Sequence, residues 1–204
     1  MATFYNQATL SYNGNTTTSN ITTGELVEVL SATKTAVQTE YQQDDTLTYV
    51  VNILNSGNTT MTGVTISDNL GAYTLNTLTL VPMDYVVGTV RYYVGGVLQP
   101  TPTVTAGPPL TISGLSVPAK GNVTVIYQAK TNDYAPLAQE SSITNTATIN
   151  ANNIANPITA SATVNAYSKP VLRISKSLTP TTVSENGQLT YTFIIQNYGN
   201  TAAD

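Results

Sequence analysis

The feature that most constrains this chain of 204 residues is an internal repeat. Residues 45–59 (DTLTYVVNILNSGNT) are matched by residues 187–201 (GQLTYTFIIQNYGNT), and residues 4–11 (FYNQATLS) by residues 143–150 (ITNTATIN). A self-match over this length indicates repeated structural units. We therefore predict the closing hairpin of one module, one complete module and the opening strands of a third, at residues 1–26, 27–167 and 168–204.

The composition favours strands over helices. Charged residues make up 9% of the chain, against roughly 25% in typical soluble domains, and Thr, Asn, Val, Tyr and Ser take their place. Thr, Val and Tyr favour strands, and Asn favours turns. Strand-like segments follow one another every 8–12 residues or so, which is typical of a β-sandwich. The sequence therefore predicts an all-β chain of immunoglobulin-like antiparallel β-sandwich modules.

Several classes of function are disfavoured by what the sequence lacks. It has no Cys and no His, which removes thiolate chemistry, the commonest general base and the commonest metal ligand. Its net charge is −4 without a basic cluster, unlike a nucleic-acid-binding protein. No apolar run approaches the ~20 residues of a membrane span. We therefore expect no enzymatic activity, no cofactor, no nucleic-acid partner and no membrane insertion.

Local patterns locate strands and turns. Residues 47–54 and 122–130 alternate or run apolar as core strands, and residues 73–80 alternate as one strand. Asn13-Gly14 and Gly95-Gly96 predict two-residue hairpin turns. The prolines of residues 99–109 predict a loop or a sheet edge there.

The order of these motifs resembles a bacterial surface repeat family, the domain of unknown function 11. The elements that carry the resemblance are Lys34-Thr35, residues 46–49 (TLTY), residues 55–59 (NSGNT), residues 64–70 (VTISDNL) and residues 145–149 (NTATI). The resemblance covers one complete unit and two partial ones. It implies an immunoglobulin-like sandwich, tandem arrays, and an extracellular location on the cell surface or spore surface of a Gram-positive bacterium. The missing signal peptide at the first residues favours the spore surface.

Lys34, Asn145 and Asp68 are the candidates for an intramolecular isopeptide bond. Related sandwich domains of surface fibres join a first-strand lysine to a last-strand asparagine with the help of a carboxyl group. This chemistry requires burial, because desolvation lowers the pKa of a lysine and raises that of an acid. The alternative is a solvated Lys34, an Asn145 that satisfies a backbone turn, and an Asp68 that caps a strand end.

The incomplete terminal modules suggest a second pair of candidates, Lys176 and Asn6. A neighbouring copy could supply residues 1–26 to the sheet that residues 170–204 begin, by strand addition. Repeated head-to-tail contacts of this kind build filaments. An Asp68 counterpart is missing from that composite, which weakens the case for a bond between chains. The alternative is that Asp204 marks a proteolytic or other artificial boundary.

Two weaker sites remain. Tyr85, Tyr92 and Tyr93 could stack on sugars, although tyrosines in such positions are more often packing residues. Asp44 and Asp45 could bind Ca²⁺ through oxygen ligands, but they lack the spacing of a ligand loop and are more readily explained as a solvated turn.

The function that the sequence predicts is a structural subunit of a surface or spore-associated fibre or array. The subunit would assemble head-to-tail with copies of itself through strand sharing between its two ends. The alternative is an adhesin module that recognises a glycan or another surface or host protein through loops 84–109, since binding residues concentrate on loops of rigid scaffolds.

Overall fold

The computed structural model describes residues 2–26, 29–152, 154 and 156–203. The predicted boundary at residue 27 and the terminal Asp204 lie outside the described residues. Within these ranges every regular element is a β-strand, so the all-β prediction is confirmed. None of the described residues forms a helix that is long and apolar enough to cross a membrane.

Twenty strands follow one another along the described chain. At the N-terminus these are β1 (Ala2–Asn6), β2 (Thr9–Tyr12), β3 (Asn15–Thr18) and β4 (Thr22–Leu26). The central strands are β5 (Leu30–Ala36), β6 (Glu40–Tyr41), β7 (Thr46–Asn55), β8 (Met61–Asp68), β9 (Tyr73–Leu75), β10 (Leu78–Leu80), β11 (Met83–Tyr85), β12 (Arg91–Val94), β13 (Val97–Leu98), β14 (Thr103–Thr105), β15 (Leu110–Val117), β16 (Asn122–Thr131), β17 (Ser142–Asn150) and β18 (Ile158–Ala166). The last two are β19 (Leu172–Thr179) and β20 (Thr190–Asn197).

The central strands form two six-stranded sheets packed face to face. The first sheet has the order β13-β12-β16-β7-β5, with β11 also paired to β16, and the second has the order β14-β15-β8-β17-β18-β6. All pairs are antiparallel except β18 with β6. Alternate residues of the long strands point inward, as the burial of Leu47, Tyr49, Val51 and Ile53 along β7 illustrates. This alternation places one continuous apolar core between the sheets.

The hairpin turns lie where the sequence predicts them, and one predicted strand is divided. Asn13-Gly14 joins β2 to β3, and Gly95-Gly96 joins β12 to β13, all four residues having positive φ. The predicted loop or edge at residues 99–109 contains β14, at the edge of the second sheet. The single strand predicted over residues 73–80 is wrong, because Asn76 adopts φ 55° and turns the chain into the β9–β10 hairpin.

The two ends of the chain repeat the geometry of the central sandwich. In β5–β7, Leu30 pairs with Asn55 and Lys34 with Val51. In β19–β20, Leu172 pairs with Asn197 and Lys176 with Phe193, which is the same register 142 positions later. At the other end, β1–β4 and β2–β3 run along one long hairpin around Asn13-Gly14. That hairpin corresponds to β17–β18 of the sandwich.

Among the described residues, the strand pairs at the two ends of the chain are not part of either six-stranded sheet. Each forms only a two-stranded sheet, which is marginally stable in water by itself. Residues whose counterparts in the sandwich are buried are exposed here, among them Phe4 (59%), Leu172 (56%), Phe193 (56%) and Ile195 (66%). The described strands at both ends therefore expose apolar side chains.

Substitutions at two neighbouring residues test which face of β7 points into the core. We expect Ile53→Ala to lower the free energy of unfolding by about 2–5 kcal/mol, because it leaves a cavity in the core. The matched control is Leu54→Ala, since the Leu54 side chain is half exposed and its loss should cost less than about 1 kcal/mol. Urea unfolding of both variants measures the difference, and equal losses would contradict the assigned register.

Candidate functional site

The first component of the candidate site is Lys34, which the alternation of β5 directs between the two sheets. Its side chain has no solvent exposure. Burial lowers the pKa of Lys34 to about 8, and the neighbouring charge and hydrogen bond of Asp68 oppose this shift. A lysine in this state can lose its proton at far lower cost than a solvated one, so it is suited to act as a nucleophile.

The second component is Asp68, at the end of β8 in the opposite sheet. Its side chain is also fully buried, and Oδ2 accepts hydrogen bonds from Lys34 Nζ and from Tyr127 Oη, each at 2.5 Å. Its other oxygen, Oδ1, accepts from Leu70 N at 3.0 Å. Both carboxyl oxygens are thus satisfied by protein groups, and the ion pair joins the two sheets.

The third component is Asn145, near the middle of β17, which pairs with β8 further along. The residue is fully buried. Its amide nitrogen Nδ2 donates to Tyr127 Oη at 3.3 Å, and its oxygen Oδ1 accepts from Gly71 N at 3.2 Å. These two contacts fix the orientation of the amide within the same cluster as Lys34 and Asp68.

Two tyrosines of the first sheet enclose the cluster. Tyr49 on β7 and Tyr127 on β16 are stacked, with ring centroids 5.6 Å apart and an interplanar angle of 24°. Lys34 Nζ lies 4.8 Å from the Tyr49 centroid and 5.8 Å from that of Tyr127, within the range of a cation–π interaction. Burial and the nearby Asp68 raise the pKa of both phenols, so they remain neutral hydroxyl groups.

The structure thus brings together the three predicted residues Lys34, Asp68 and Asn145. Lys34 and Tyr127 both contact Asp68, and Tyr127 also contacts Asn145, so a lysine, a carboxyl group and a side-chain amide lie in one buried cluster between the two sheets. Sequence reasoning missed Tyr127 and Gly71. The alternation of apolar residues along 123–129 predicts that Tyr127 is buried, whereas no sequence signal points to the Gly71 backbone.

Lys176 and Asn6 are not brought together within one chain; each lies on its own exposed terminal pair. Lys176 Nζ lies 4.2 Å from the Tyr191 ring centroid, which repeats the contact of Lys34 with Tyr49. Asn6 pairs with Thr22 across β1–β4, as Asn145 pairs with Ala162 across β17–β18. Each terminal pair therefore carries one half of a site that is complete in the sandwich.

The three tyrosines proposed for ligand binding lie in different environments. Tyr92 is buried, and its hydroxyl donates to Ser116 O and accepts from Ser116 N, so its ring is part of the core. Tyr93 is half-buried on the other face of β12. Tyr85 lines an open groove of about 300 Å³ together with Pro102 and Val104. Of the three, Tyr85 alone lines this groove.

The acidic pair Asp44 and Asp45 is engaged by protein groups. Asp44 Oδ1 forms an exposed ion pair with Lys130 Nζ at 2.8 Å. Asp45 Oδ2 accepts from Gln42 N at 2.7 Å, closing a turn. No group of three or more acidic, His or Cys side chains that could hold a metal ion occurs in the part of the chain that the structure describes.

Comparison with known proteins gives structural similarity without sequence similarity. No protein-family model and no curated protein matches the sequence. Among solved structures, the major pilin subunit BcpA of Bacillus cereus aligns with a TM-score of 0.51 at 13% identity over 96% of this chain and 63% of its own. A second BcpA structure aligns with a TM-score of 0.55 at 11% identity, over 97% and 63% of the two chains.

The full-length major pilin RrgB of Streptococcus pneumoniae aligns with a TM-score of 0.51 at 15% identity, over 66% of this chain and 25% of its own. The chain thus spans less than two thirds of the length of each of these pilins. At such low identities, the similarity shows that the chain shares the immunoglobulin-like sandwich fold of these pilin domains.

The buried lysine predicts an unusual pH dependence of stability, which is measured in Asn145→Ala because this variant lacks the neighbouring amide and keeps a free Lys34 amine. The unfolded chain binds a proton at Lys34 up to about pH 10.5, whereas the folded state releases it near pH 8. Stability should therefore rise between pH 8 and 10, on the order of 2 kcal/mol, before the buried tyrosines reverse the trend. Urea unfolding at several pH values measures this, with Asn145→Ala/Lys34→Met as the control. Stability that does not change with pH in either variant would contradict the lowered pKa of the buried Lys34.

Proposed function

We propose that this chain is a structural subunit of a bacterial surface or spore-associated fibre or array. The observation that carries the proposal is the buried Lys34–Asp68–Asn145 cluster, which joins the two sheets of the sandwich. In a fibre under tension, a covalent link at this position would transmit load between the sheets without unfolding them. The fold shared with major pilin subunits supports the same role. We assign the chain to the surface repeat family of the domain of unknown function 11, with an extracellular location.

In this proposal Lys34 and Asn145 are joined by an isopeptide bond. Lys34 Nζ attacks the side-chain carbonyl carbon of Asn145, the bond from that carbon to Nδ2 breaks, and ammonia leaves. Asp68, which contacts Lys34 at 2.5 Å, takes up a proton from the lysine. The product is neutral, so the bond also removes a charged pair from a low-dielectric site where ion pairs contribute little net stability.

Intact-mass spectrometry tests the bond. We expect the folded chain to be lighter than its sequence by one ammonia, and Lys34→Met, Asp68→Ala and Asn145→Ala each to have the full mass. The matched control is Lys176→Met, which should still lose ammonia because Lys176 lies on β19 beside Tyr191 and is not part of the Lys34–Asp68–Asn145 cluster. A full, unmodified mass for the folded wild-type chain would contradict the proposal.

The second part of the proposal concerns assembly. The hairpin of residues 1–26 from one copy packs against β19–β20 of the next, in the position that β17–β18 occupy beside β5–β7. Both pairs expose apolar residues on strands whose counterparts form the sandwich core, such as Phe4 at one end and Phe193 at the other. Exposed strand edges are templates for other chains, and a head-to-tail contact that does not close gives a filament.

Complementary variants test this assembly. Phe4→Asp and Phe193→Asp each disable one end, so we expect neither variant alone to form filaments in negative-stain images. An equimolar mixture still contains one intact pair of ends, so it should give dimers by size exclusion and no longer species. The control is Val87→Asp, because Val87 is an exposed apolar residue of the central sandwich and its substitution should leave filaments intact. Filaments in either end variant, or no dimers in the mixture, would count against strand sharing.

The groove beside Tyr85 favours a second candidate function, an adhesin module. It lies within loops 84–109, is lined by Tyr85, Val87 and Pro102, and presents an aromatic ring beside apolar surface. Such a groove suits a sugar ring or an extended peptide segment. Binding on a glycan or matrix-protein array that is lost in Tyr85→Ala and kept in Tyr134→Ala, an exposed tyrosine outside the groove, would support this function.

A further inference from the structure

The Asn145 amide contacts two residues that are not among the three that define the proposed cross-link. Asp68 contacts Lys34, but the hydrogen bonds of the Asn145 amide are made with Tyr127 and Gly71. Tyr127 contacts the nitrogen that leaves in the reaction, and Gly71 N–H contacts the oxygen whose negative charge increases. Nδ2 must receive a proton in order to leave, and Oδ1 must carry the negative charge of the tetrahedral intermediate.

We propose that the Tyr127 hydroxyl and the Gly71 backbone N–H are catalytic groups of this chain. Tyr127 passes a proton from Asp68 to the leaving nitrogen of Asn145, and Gly71 N–H stabilises the oxyanion on Asn145 Oδ1. The inference rests on the isopeptide bond proposed above and concerns how that bond is made.

Tyr127 bridges the carboxyl group and the leaving group. Its hydroxyl donates to Asp68 Oδ2 at 2.5 Å and accepts from Asn145 Nδ2 at 3.3 Å. Once Asp68 has taken a proton from Lys34, both hydrogen bonds reverse direction: the carboxylic acid donates to Tyr127 Oη, and Tyr127 donates to Nδ2. The phenol ends as it began, neutral, which agrees with a pKa held well above its usual value by burial and the nearby Asp68.

The protons and bonds balance. Lys34 begins as an ammonium group and ends as an amide N–H, so it gives up two protons. One reaches Nδ2 through Asp68 and Tyr127 and leaves within ammonia, while the other remains on Asp68 as a carboxylic acid. The Nζ–Cγ bond forms as the Cγ–Nδ2 bond breaks, and no oxidant or other reactant is needed.

The Gly71 N–H is positioned by the turn that follows β8. Leu70 and Gly71 both have positive φ (52° and 75°), and their consecutive N–H groups donate to Asp68 Oδ1 and Asn145 Oδ1. Successive backbone N–H groups of this kind form a concave site for negative charge. Asn69 holds the turn, since its Oδ1 accepts from Gly71 N at 3.0 Å and from Thr146 N of β17 at 2.9 Å.

Glycine is required at position 71 for two reasons. A φ of 75° is strained for other residues. A Cβ atom there would also lie 2.5 Å from Cγ2 of Ile143, two residues before Asn145 in β17. The close approach of this backbone to β17 is what brings the N–H group to the Asn145 oxygen.

Reaction rates test the proposal, starting from full-length chain solubilised from inclusion bodies in urea. Dilution starts folding, and mass spectrometry follows the loss of ammonia with time. We expect Tyr127→Phe, which keeps the ring stacked on Tyr49, to react roughly 10²-fold more slowly than wild type. The matched control is Tyr41→Phe, because the Tyr41 residue is also buried in the core but its hydroxyl donates to Pro136 O; it should react at the wild-type rate.

The Gly71 N–H can be deleted alone by placing glycolic acid at position 71, which replaces the amide by an ester. We expect a decrease in rate of roughly 10²-fold, comparable to the loss of an oxyanion-hole donor. If Tyr127→Phe folds incompletely, the rate of wild type in mixtures of H₂O and D₂O tests the proton relay through Tyr127. A curved dependence of the rate on the deuterium fraction supports transfer of two protons. A linear dependence contradicts the relay.

The outcomes separate this inference from the proposed bond. A wild-type chain that folds without losing ammonia overturns the isopeptide bond itself. A wild-type chain that reacts, with Tyr127→Phe and the ester variant reacting equally fast, overturns the catalytic roles of Tyr127 and Gly71 while the bond stands.

Discussion

The candidate site is arranged around one buried interaction, the pairing of Lys34 with Asp68 between the two sheets. Taking both charges out of water costs several kcal/mol, and removing one partner would leave an uncompensated charge in the core. The second hydrogen bond to Asp68 from Tyr127, the backbone N–H of Leu70 and the tyrosine ring faces beside Lys34 all offset that cost. The strands that carry these groups are thereby held in one register. An isopeptide bond would replace the charged pair by a neutral amide and make the register permanent.

The strand pairs at the two ends of the chain repeat parts of the central sandwich but belong to smaller sheets. The β19–β20 pair repeats the register of β5–β7, including a lysine above a tyrosine ring, but among the described residues it forms only a two-stranded sheet. The hairpin of residues 1–26 supplies the asparagine-bearing strands but no lysine. In the proposed fibre, these two ends would meet at the joints between covalently locked sandwiches.

The sequence predicts the fold through period-2 alternation, and the resemblance to sandwich domains of surface fibres predicts the three polar members of the site. Lys34, Asp68 and Asn145 all fall on inward positions, and the repeat predicts the relation of the ends to the sandwich. It does not predict that Tyr127 meets Asn145, because that contact depends on how two separate sheets align. The role of the Gly71 N–H cannot be predicted for another reason. Almost every residue type has a backbone N–H, and only the positive φ values of the turn direct this one at Asn145 Oδ1. Asn76 divides a predicted strand because alternation says nothing about a local left-handed turn.

The most direct test of the central claim is peptide mapping of the folded wild-type chain by tandem mass spectrometry after digestion with chymotrypsin. The account predicts a branched peptide in which the Lys34 side chain is bonded to the Asn145 side chain, with fragment ions that place the branch at those two residues. Recovery of separate linear peptides, one with free Lys34 and one with intact Asn145, would contradict it.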